Sequence, residues 1–222
     1  MNAPDLDRIV RAHVIAPHPD DEAIGAFGLI AALRARGTVV DVTLVTDGGA
    51  SHRESAAWPR ARLRDTRYRE TRRVLRRAGI RRQDLRFLGY PDGDLGFAGP
   101  AMIAPLARDL ARRPRPDLIV TPSVNDNHAD HRAVAAAVKR AWPASIPRLS
   151  YLVWPRLEPH RPRPRGRNQR LPLRGRAAMK QAALTLYRSQ FGQLVDDADG
   201  FTIGRDLRVR FGHPVERFGS QP

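Results

Sequence analysis

His18-Pro19-Asp20-Asp21-Glu22, entered through Ala12-His13-Val14-Ile15-Ala16-Pro17, is the stretch from which the rest of this chain is read. The mainly apolar run at 12–15 predicts a short buried strand. Beyond Glu22 the residues Ala23, Ile24, Phe27, Ile30, Ala31 and Leu33 recur at helical spacing until Gly37, so the stretch is a strand, a polar turn and a helix. In an open α/β sheet, ligands bind in the crevice outside the carboxyl ends of the strands. Chemistry is therefore expected at this turn. Acids at a helix start also meet unpaired N–H groups and the positive end of the helix dipole. That accounts for Glu22 but not for His18, nor for Pro19 fixing the backbone between them. A metal site accounts for all of them. Zinc takes imidazole nitrogen and carboxylate oxygen at about 2.0–2.2 Å, usually with three protein ligands and a water when it is catalytic. His18 and Asp21, three apart across a turn, can converge on one ion.

The third ligand must come from elsewhere, and Asn125-Asp126-Asn127-His128-Ala129-Asp130-His131 offers it, again after an apolar strand, Leu118-Ile119-Val120. A helix from Arg132 to Trp142 follows. His128 and His131, at i and i+3 of a helix start, share one face. Spacing alone leaves open which of these two histidines is the ligand, and which of Asp20 and Asp21.

Strands and helices alternate along the chain. Strands are expected at 12–17, 38–46, 85–89, 117–122 and 149–154, and helices at 22–36, 60–78, 100–113, 131–142 and 177–190. Such a βαβ progression builds an α/β fold, a mostly parallel sheet with helices on both faces and right-handed crossovers. A length of 222 residues suits a single domain, 1–222. Within it, 155–176 is rich in Pro and Arg and reads as an exposed loop. Phe201-Thr202-Ile203 and Leu207-Arg208-Val209-Arg210-Phe211 alternate like one or two late strands.

The net charge of +16, from 39 basic against 23 acidic residues, invites a nucleic-acid reading. The details argue against it as the main function. Only Lys139 and Lys180 are lysines, and an arginine excess of this kind is what a high-GC genome produces without selection for binding. The arginines of 60–82 read as the solvated face of a helix whose inner face is Leu63, Tyr68, Val74, Leu75 and Ala78. With no cysteine, a metal must be held by His, Asp or Glu. No apolar stretch approaches 18 residues, and Met1-Asn2-Ala3-Pro4-Asp5-Leu6-Asp7 lacks the pattern of a signal peptide, so a cytoplasmic protein without a membrane span is expected.

Taken together, the His-Pro-Asp-Asp-Glu segment and the later His-x-Asp-His segment resemble the PIG-L, or LmbE-like, zinc-dependent N-deacetylases. So do Val45-Thr46-Asp47-Gly48, Arg67-x-x-Glu70, Leu88-Gly89-Tyr90-Pro91-Asp92-Gly93, and Lys180 with Tyr187-Arg188-Ser189-Gln190. The resemblance spans roughly residues 12 to 190 in the family's order. It implies a Rossmann-like layout and a zinc ion, or another divalent metal such as Fe2+, on His18, Asp21 and His131. Asp20 is then the general base, His128 the electrostatic or acid group, and Asp130 a partner that orients a histidine. Arg67 and Asp47 match positions near the substrate, although an Arg67–Glu70 ion pair and a turn-capping Asp47 explain them equally well. The implied activity is removal of an N-acetyl group from an amino sugar or glycoconjugate such as an N-acetylglucosaminyl compound. The contrasting expectation is a non-catalytic or nucleic-acid-binding basic protein on the same fold.

Overall fold

In the computed structural model, which describes residues 5–154, 167–173, 175–192, 194–197 and 199–221, the strand before the His-Pro-Asp-Asp turn lies at the centre of a sheet. This is β1 (Arg11–Ala16), flanked by β2 (Val39–Thr46) and β4 (Leu118–Pro122), both parallel to it. With β3 (Leu85–Tyr90), β5 (Arg148–Tyr151), β6 (Arg167–Pro172) and β7 (Val215–Gln221), the sheet runs in the order β3-β2-β1-β4-β5-β7-β6. β7 is antiparallel to both β5 and β6. The first five strands are the parallel βαβ core that the sequence predicts. Their order reverses between β1 and β4, which makes the ends of these two strands the switch point where such sheets open a crevice.

Side chains alternate across the central strands and fill two cores. Ala12, Val14 and Ala16 of β1 meet α1 (Asp21–Ala35), with α2 (Arg60–Arg77) and α5 (Ala177–Leu184) on the same side. Ile15 faces the opposite core, shared with α3 (Pro100–Ala111) and α4 (Ala129–Ala141). Arg60 and its fellow arginines on α2 leave only Leu63, Thr66, Arg67, Glu70, Thr71, Val74 and Leu75 buried, the amphipathic pattern of a surface helix. Helix α1 is different, because every residue from Asp21 to Leu33 is buried. Gly25 and Gly28 permit this enclosure: a Cβ on Gly25 would stand 2.3 Å from Tyr151 Cδ2, and one on Gly28 2.0 Å from Leu173 Cδ2.

The carboxylate of Glu216, on β7, accepts the N–H groups of Gly28 at 2.8 Å and Leu29 at 2.9 Å. Lys180, on α5, donates its ammonium to the Ile24 carbonyl at 2.8 Å and to Glu216 Oε1 at 2.9 Å. In a regular helix the Gly28 N–H pairs with the Ile24 carbonyl. Here a buried ion pair engages both groups, wedged against the middle of α1.

The C-terminal third departs from expectation. Residues 207–211 belong to a helix, α6 (Arg205–Phe211), and the late strand is β7 after it. The alternation in 207–211 is of arginines with Leu207, Val209 and Phe211, and Val209 is exposed while Phe211 is buried, so the pattern never described one face of a strand. Part of the expected loop is also ordered structure: 167–172 is the edge strand β6, paired to β7, and Leu173 beside it is buried. An edge strand carrying Arg, Asn and Gln has too little apolar alternation to announce itself. Residues 155–166 of that loop lie outside those described. The helix expected at 177–190 ends at Leu184 and is followed by a 3-10 turn at Arg188–Gln190. Among the described residues no helix is long and apolar enough to cross a membrane.

Candidate metal centre

Pro17-His18-Pro19-Asp20 turns the chain from β1 into α1, and Asp20 takes φ +118°, the one positive φ outside glycine among the described residues. Such a conformation costs about 1–3 kcal/mol and persists only where its surroundings impose it. Arg67 imposes it. Its Nη2 donates to the Pro19 carbonyl at 2.5 Å and to Asp20 Oδ2 at 3.1 Å, and its Nη1 to the Gly48 carbonyl at 2.7 Å. From the other side Glu22 Oε2 accepts the Asp20 N–H at 3.1 Å, while the Tyr187 hydroxyl donates to Glu22 Oε1. The strained turn brings His18 and Asp21 to the ends of β1 and β4, with Asp20 close enough to feel the charges of both.

Across the switch point, Ser123 to His128 lead from β4 into α4. His128 is the N-cap of α4, its Nδ1 accepting the Asp130 N–H at 3.2 Å. His131, on the first turn, is fully buried. Its Nε2 lies 3.1 Å from Asp21 Oδ2 and 3.3 Å from His18 Nδ1, and His18 Nδ1 is itself 3.1 Å from Asp21 Oδ2. Three donor atoms thus form a triangle with edges of 3.1, 3.1 and 3.3 Å. Ligands about 2.0–2.1 Å from a tetrahedral zinc are separated by about 3.3 Å. The triangle has the dimensions of one tetrahedral face, and its two nitrogens and one oxygen are donors a zinc-type cation takes.

Two other groupings of donor atoms fall within 4.8 Å of one another: His18 with His128 and His131, and His18 with Asp92 and Asp130. In the first, His128 has its Nδ1 engaged at the helix cap. The second surrounds the far nitrogen of His18: Nε2 is 3.1 Å from Asp92 Oδ1 and 3.2 Å from Asp130 Oδ2. Both carboxylates are fixed by backbone donors, Asp130 by the N–H groups of Gly93 and Gly96, and Asp92 by that of Ala50. This is how a metal-binding imidazole is held, with its outer nitrogen on a carboxylate. Asp126 stands in the same relation to His131, 3.2 Å from Nδ1, although the alignment there is that of an ion pair rather than a hydrogen bond. Asp126 Oδ2 also accepts the N–H groups of Val153 and Trp154.

The electrostatics follow from this crowding. Burial opposes a charged His18, yet the Asp92, Asp130 and Asp21 carboxylates prevail and raise its pKa well above the usual value. Burial likewise opposes charge on His131, and Asp21 with Asp126 lifts it to about 9. Asp21 is held well below the ordinary carboxylate range by His131 and His18 in spite of its burial. Without a cation the cluster keeps protons on its imidazoles, and a metal would take their place. Burial, with Asp21 beside it, pushes the Asp20 carboxyl up to about 7 against the pull of Arg67. His128 is lowered by burial and by its histidine neighbours, and stays neutral. Because its Nδ1 accepts a hydrogen bond, its proton sits on Nε2.

The fold brings His18, Asp20, Asp21, His128, Asp130 and His131 together, with Asp130 Oδ2 3.2 Å from His18 Nε2. Arg67 and Glu70 do not pair: Arg67 holds the 19–20 turn and Gly48, while Glu70 accepts the N–H and hydroxyl of Ser189. Asp47 is taken up by Arg60 Nε and Nη2 at 2.8 and 3.0 Å and by the N–H groups of Gly49 and Asp92. Sequence reasoning gave Asp126 no role and left Asp92 as one residue of the Leu88–Gly93 segment. Asp126 lies inside the quoted second segment, but nothing in a spacing of five to His131 signals that the two side chains meet.

Comparison with known proteins supports the same reading. A probable N-acetyl-alpha-D-glucosaminyl L-malate deacetylase 2 of Bacillus subtilis (strain 168) is 34% identical over 131 residues, 58% of this chain and 58% of that protein. The chain thus matches less than three fifths of the length of that curated relative. Among solved structures, the zinc-inhibited form of teicoplanin deacetylase Orf2 superposes with a TM-score of 0.70 at 18% identity, covering 95% of this chain and 97% of the other. The N,N'-diacetylchitobiose deacetylase of Pyrococcus horikoshii gives 0.68 at 18% identity, with 98% and 85% coverage. At such identities the likeness speaks for the fold alone. The profile described as PIG-L, GlcNAc-PI de-N-acetylase, matches residues 13–142, from within β1 to the end of α4 and so across both halves of the metal centre; this chain belongs to the PIG-L family.

Proposed function

We propose that this protein is a zinc-dependent hydrolase that removes an N-acetyl group from an amino sugar or glycoconjugate of the N-acetylglucosaminyl type. The observation that carries the reading is the triangle of His18 Nδ1, Asp21 Oδ2 and His131 Nε2, whose edges match a tetrahedral face. These three residues would hold the ion. A cation there supplies Lewis acidity toward the amide carbonyl and lowers the pKa of the attacking water.

The chain's own groups do the rest. Asp20, turned toward the cluster by its strained backbone and held through Oδ2 by Arg67, accepts a proton from water as its oxygen bonds to the acetyl carbon. His128, neutral and carrying its proton on Nε2, donates a hydrogen bond to the oxygen that gains negative charge. Asp20 then returns the proton to the nitrogen, the carbon–nitrogen bond breaks, and acetate and a free amine leave. Asp92, Asp130 and Asp126 keep the two ligand imidazoles oriented, and Asp47 ties the loops after β2 and β3 together. The substrate class is supported by the family and by the name of the Bacillus subtilis relative.

The test is acetate release from a panel of N-acetylated amino sugars with and without zinc and a chelator. Activity should need metal, and Asp20→Asn should lower kcat by two or more orders of magnitude, about the contribution of a general base. Release that ignores the chelator and survives Asp20→Asn would overturn the mechanism. A nucleic-acid-binding protein would instead bind polynucleotide, lose that binding steeply with salt, and be indifferent to Asp20→Asn.

A further inference from the structure

The segment between β2 and α2 carries an arginine that the metal centre does not use. Arg53 is exposed, yet the backbone on either side of it is fastened down. His52 is buried beneath Gly200, where an added Cβ would come within 2.1 Å of the imidazole. The Glu54 N–H donates to Asp197 Oδ2 at 3.0 Å, and the Ser55 hydroxyl donates to Asp196 Oδ1 at 2.5 Å. From this anchored loop the guanidinium reaches over the turn after β3: its Nη2 lies 2.7 Å from where a Cβ would stand on Gly93. Gly93, at φ +87°, donates its N–H to Asp130 Oδ2, and its neighbour Asp92 lies 3.1 Å from His18 Nε2. One side of the 92–93 turn thus backs the metal-binding imidazole, and the other carries an exposed cation.

Two arginines of α2 beside the same loops are engaged. Arg60 is paired with Asp47, and Arg67 with Asp20 and two backbone carbonyls. Arg53 has no carboxylate or hydrogen-bond partner among the described residues. A guanidinium offers a planar fork of donors that matches a carboxylate or phosphate two-pronged. We propose that Arg53 is a specificity-determining residue that receives an anionic group, carboxylate or phosphate, on the part of the substrate beyond the N-acetylated sugar. This rests on the deacetylase reading above. A contact made equally in the ground and transition states acts through KM and leaves kcat alone.

Equilibrium binding to the zinc-loaded Asp20→Asn protein separates this site from turnover. Three probes are used: the methyl glycoside of N-acetylglucosamine, its carboxymethyl glycoside, and N-acetylglucosamine 1-phosphate. Each is measured with and without Arg53→Met, and with Arg82→Met as a control that removes equal charge before β3, at the opposite end of the sheet. An anionic probe should bind about tenfold or more tighter than the neutral one at low salt. Arg53→Met should erase that advantage without weakening the methyl glycoside, and Arg82→Met should preserve it. The two anionic probes distinguish carboxylate from phosphate. With Asp20 intact, acetate release should show the same preference in KM. Equal binding of all three probes, or an anionic preference that survives Arg53→Met, overturns the proposal. An Arg53-dependent preference without acetate release from any probe upholds the anion site and sinks the deacetylase reading instead.

Discussion

Replacing Lys180 by Met removes the ammonium that sits between the Ile24 carbonyl and Glu216 at 2.8 and 2.9 Å, both in a setting where Lys180 is 2% and Glu216 3% exposed. Glu216 keeps its two N–H donors from Gly28 and Leu29, but a buried carboxylate loses its counter-charge. Removing one partner of such a pair costs about 3–5 kcal/mol. Glu216→Met should cost at least as much, since it leaves an ammonium with a single carbonyl and frees two N–H groups of α1. The double variant should behave differently. With both charges gone, the Gly28 N–H and the Ile24 carbonyl can satisfy each other within the helix, and thioether side chains fill the same space, so the loss should be no more than about 2 kcal/mol. Additive singles would sum to about 6–10 kcal/mol, a large part of the 5–15 kcal/mol typical of a whole domain. The coupling energy should therefore be at least about 4 kcal/mol, above the usual range of about 0.5–3 kcal/mol for contacting residues. Urea unfolding followed by far-UV circular dichroism at pH 7, in the presence of zinc, measures all four corners of the cycle. Single variants within about 1 kcal/mol of wild type, or an additive double variant, would refute the claim that this pair is wedged against the backbone of α1.

His13, fully buried on β1 with Nε2 on the Thr43 hydroxyl at 2.8 Å, has its pKa held down to about 3 by burial and by Arg113, Arg86 and Arg11. Its folded pKa lies below its unfolded value of about 6.5, so the unfolded chain takes the proton first, and stability present above pH 6.5 is lost as pH falls toward 3. Unfolding free energy should drop between pH 7 and 4.5 by roughly 2–3 kcal/mol more in wild type than in His13→Gln, at about 1.36 kcal/mol per pH unit. Parallel pH profiles for the two proteins would show that His13 does not titrate this way. Gly25→Ala should lower stability by about 1–3 kcal/mol, because the new Cβ meets the ring of Tyr151, itself pinned by a 2.8 Å hydrogen bond to the Ile15 carbonyl. Thermal unfolding checks it, with Gly37→Ala as a comparison where the new Cβ meets nothing within 4 Å and only the backbone at φ +84° objects.

The parallel core was legible because its signals are local. Each of the first four strands is a short apolar run followed by a polar turn and a helical repeat, and the two His-Asp segments follow two of those strands directly. Even the ligand atoms were constrained, since a chain without cysteine leaves only nitrogen and oxygen donors. The C-terminal third was not legible. β6 is an edge strand with one strongly apolar residue, α6 alternates arginine with apolar side chains in a pattern that imitates a strand, and Glu216 carries no local hint that it will reach α1.

What the letters alone determined was the class of fold, the two polar turns and the kinds of atom that meet there, because strand and helix periodicity and donor chemistry belong to residues near one another in the chain. Only the folded chain decided that β1 and β4 are neighbours at the reversal of strand order. That adjacency sets His18 Nδ1 and His131 Nε2 3.3 Å apart with Asp126 behind the second ring, while the packing of β3 and α2 on the other side of β1 places Asp92 behind the first and turns Arg67 from a helix residue into the support of a strained Asp20. These are distances across 113 and 47 positions of sequence, fixed by the packing of whole elements and written in no short stretch of it.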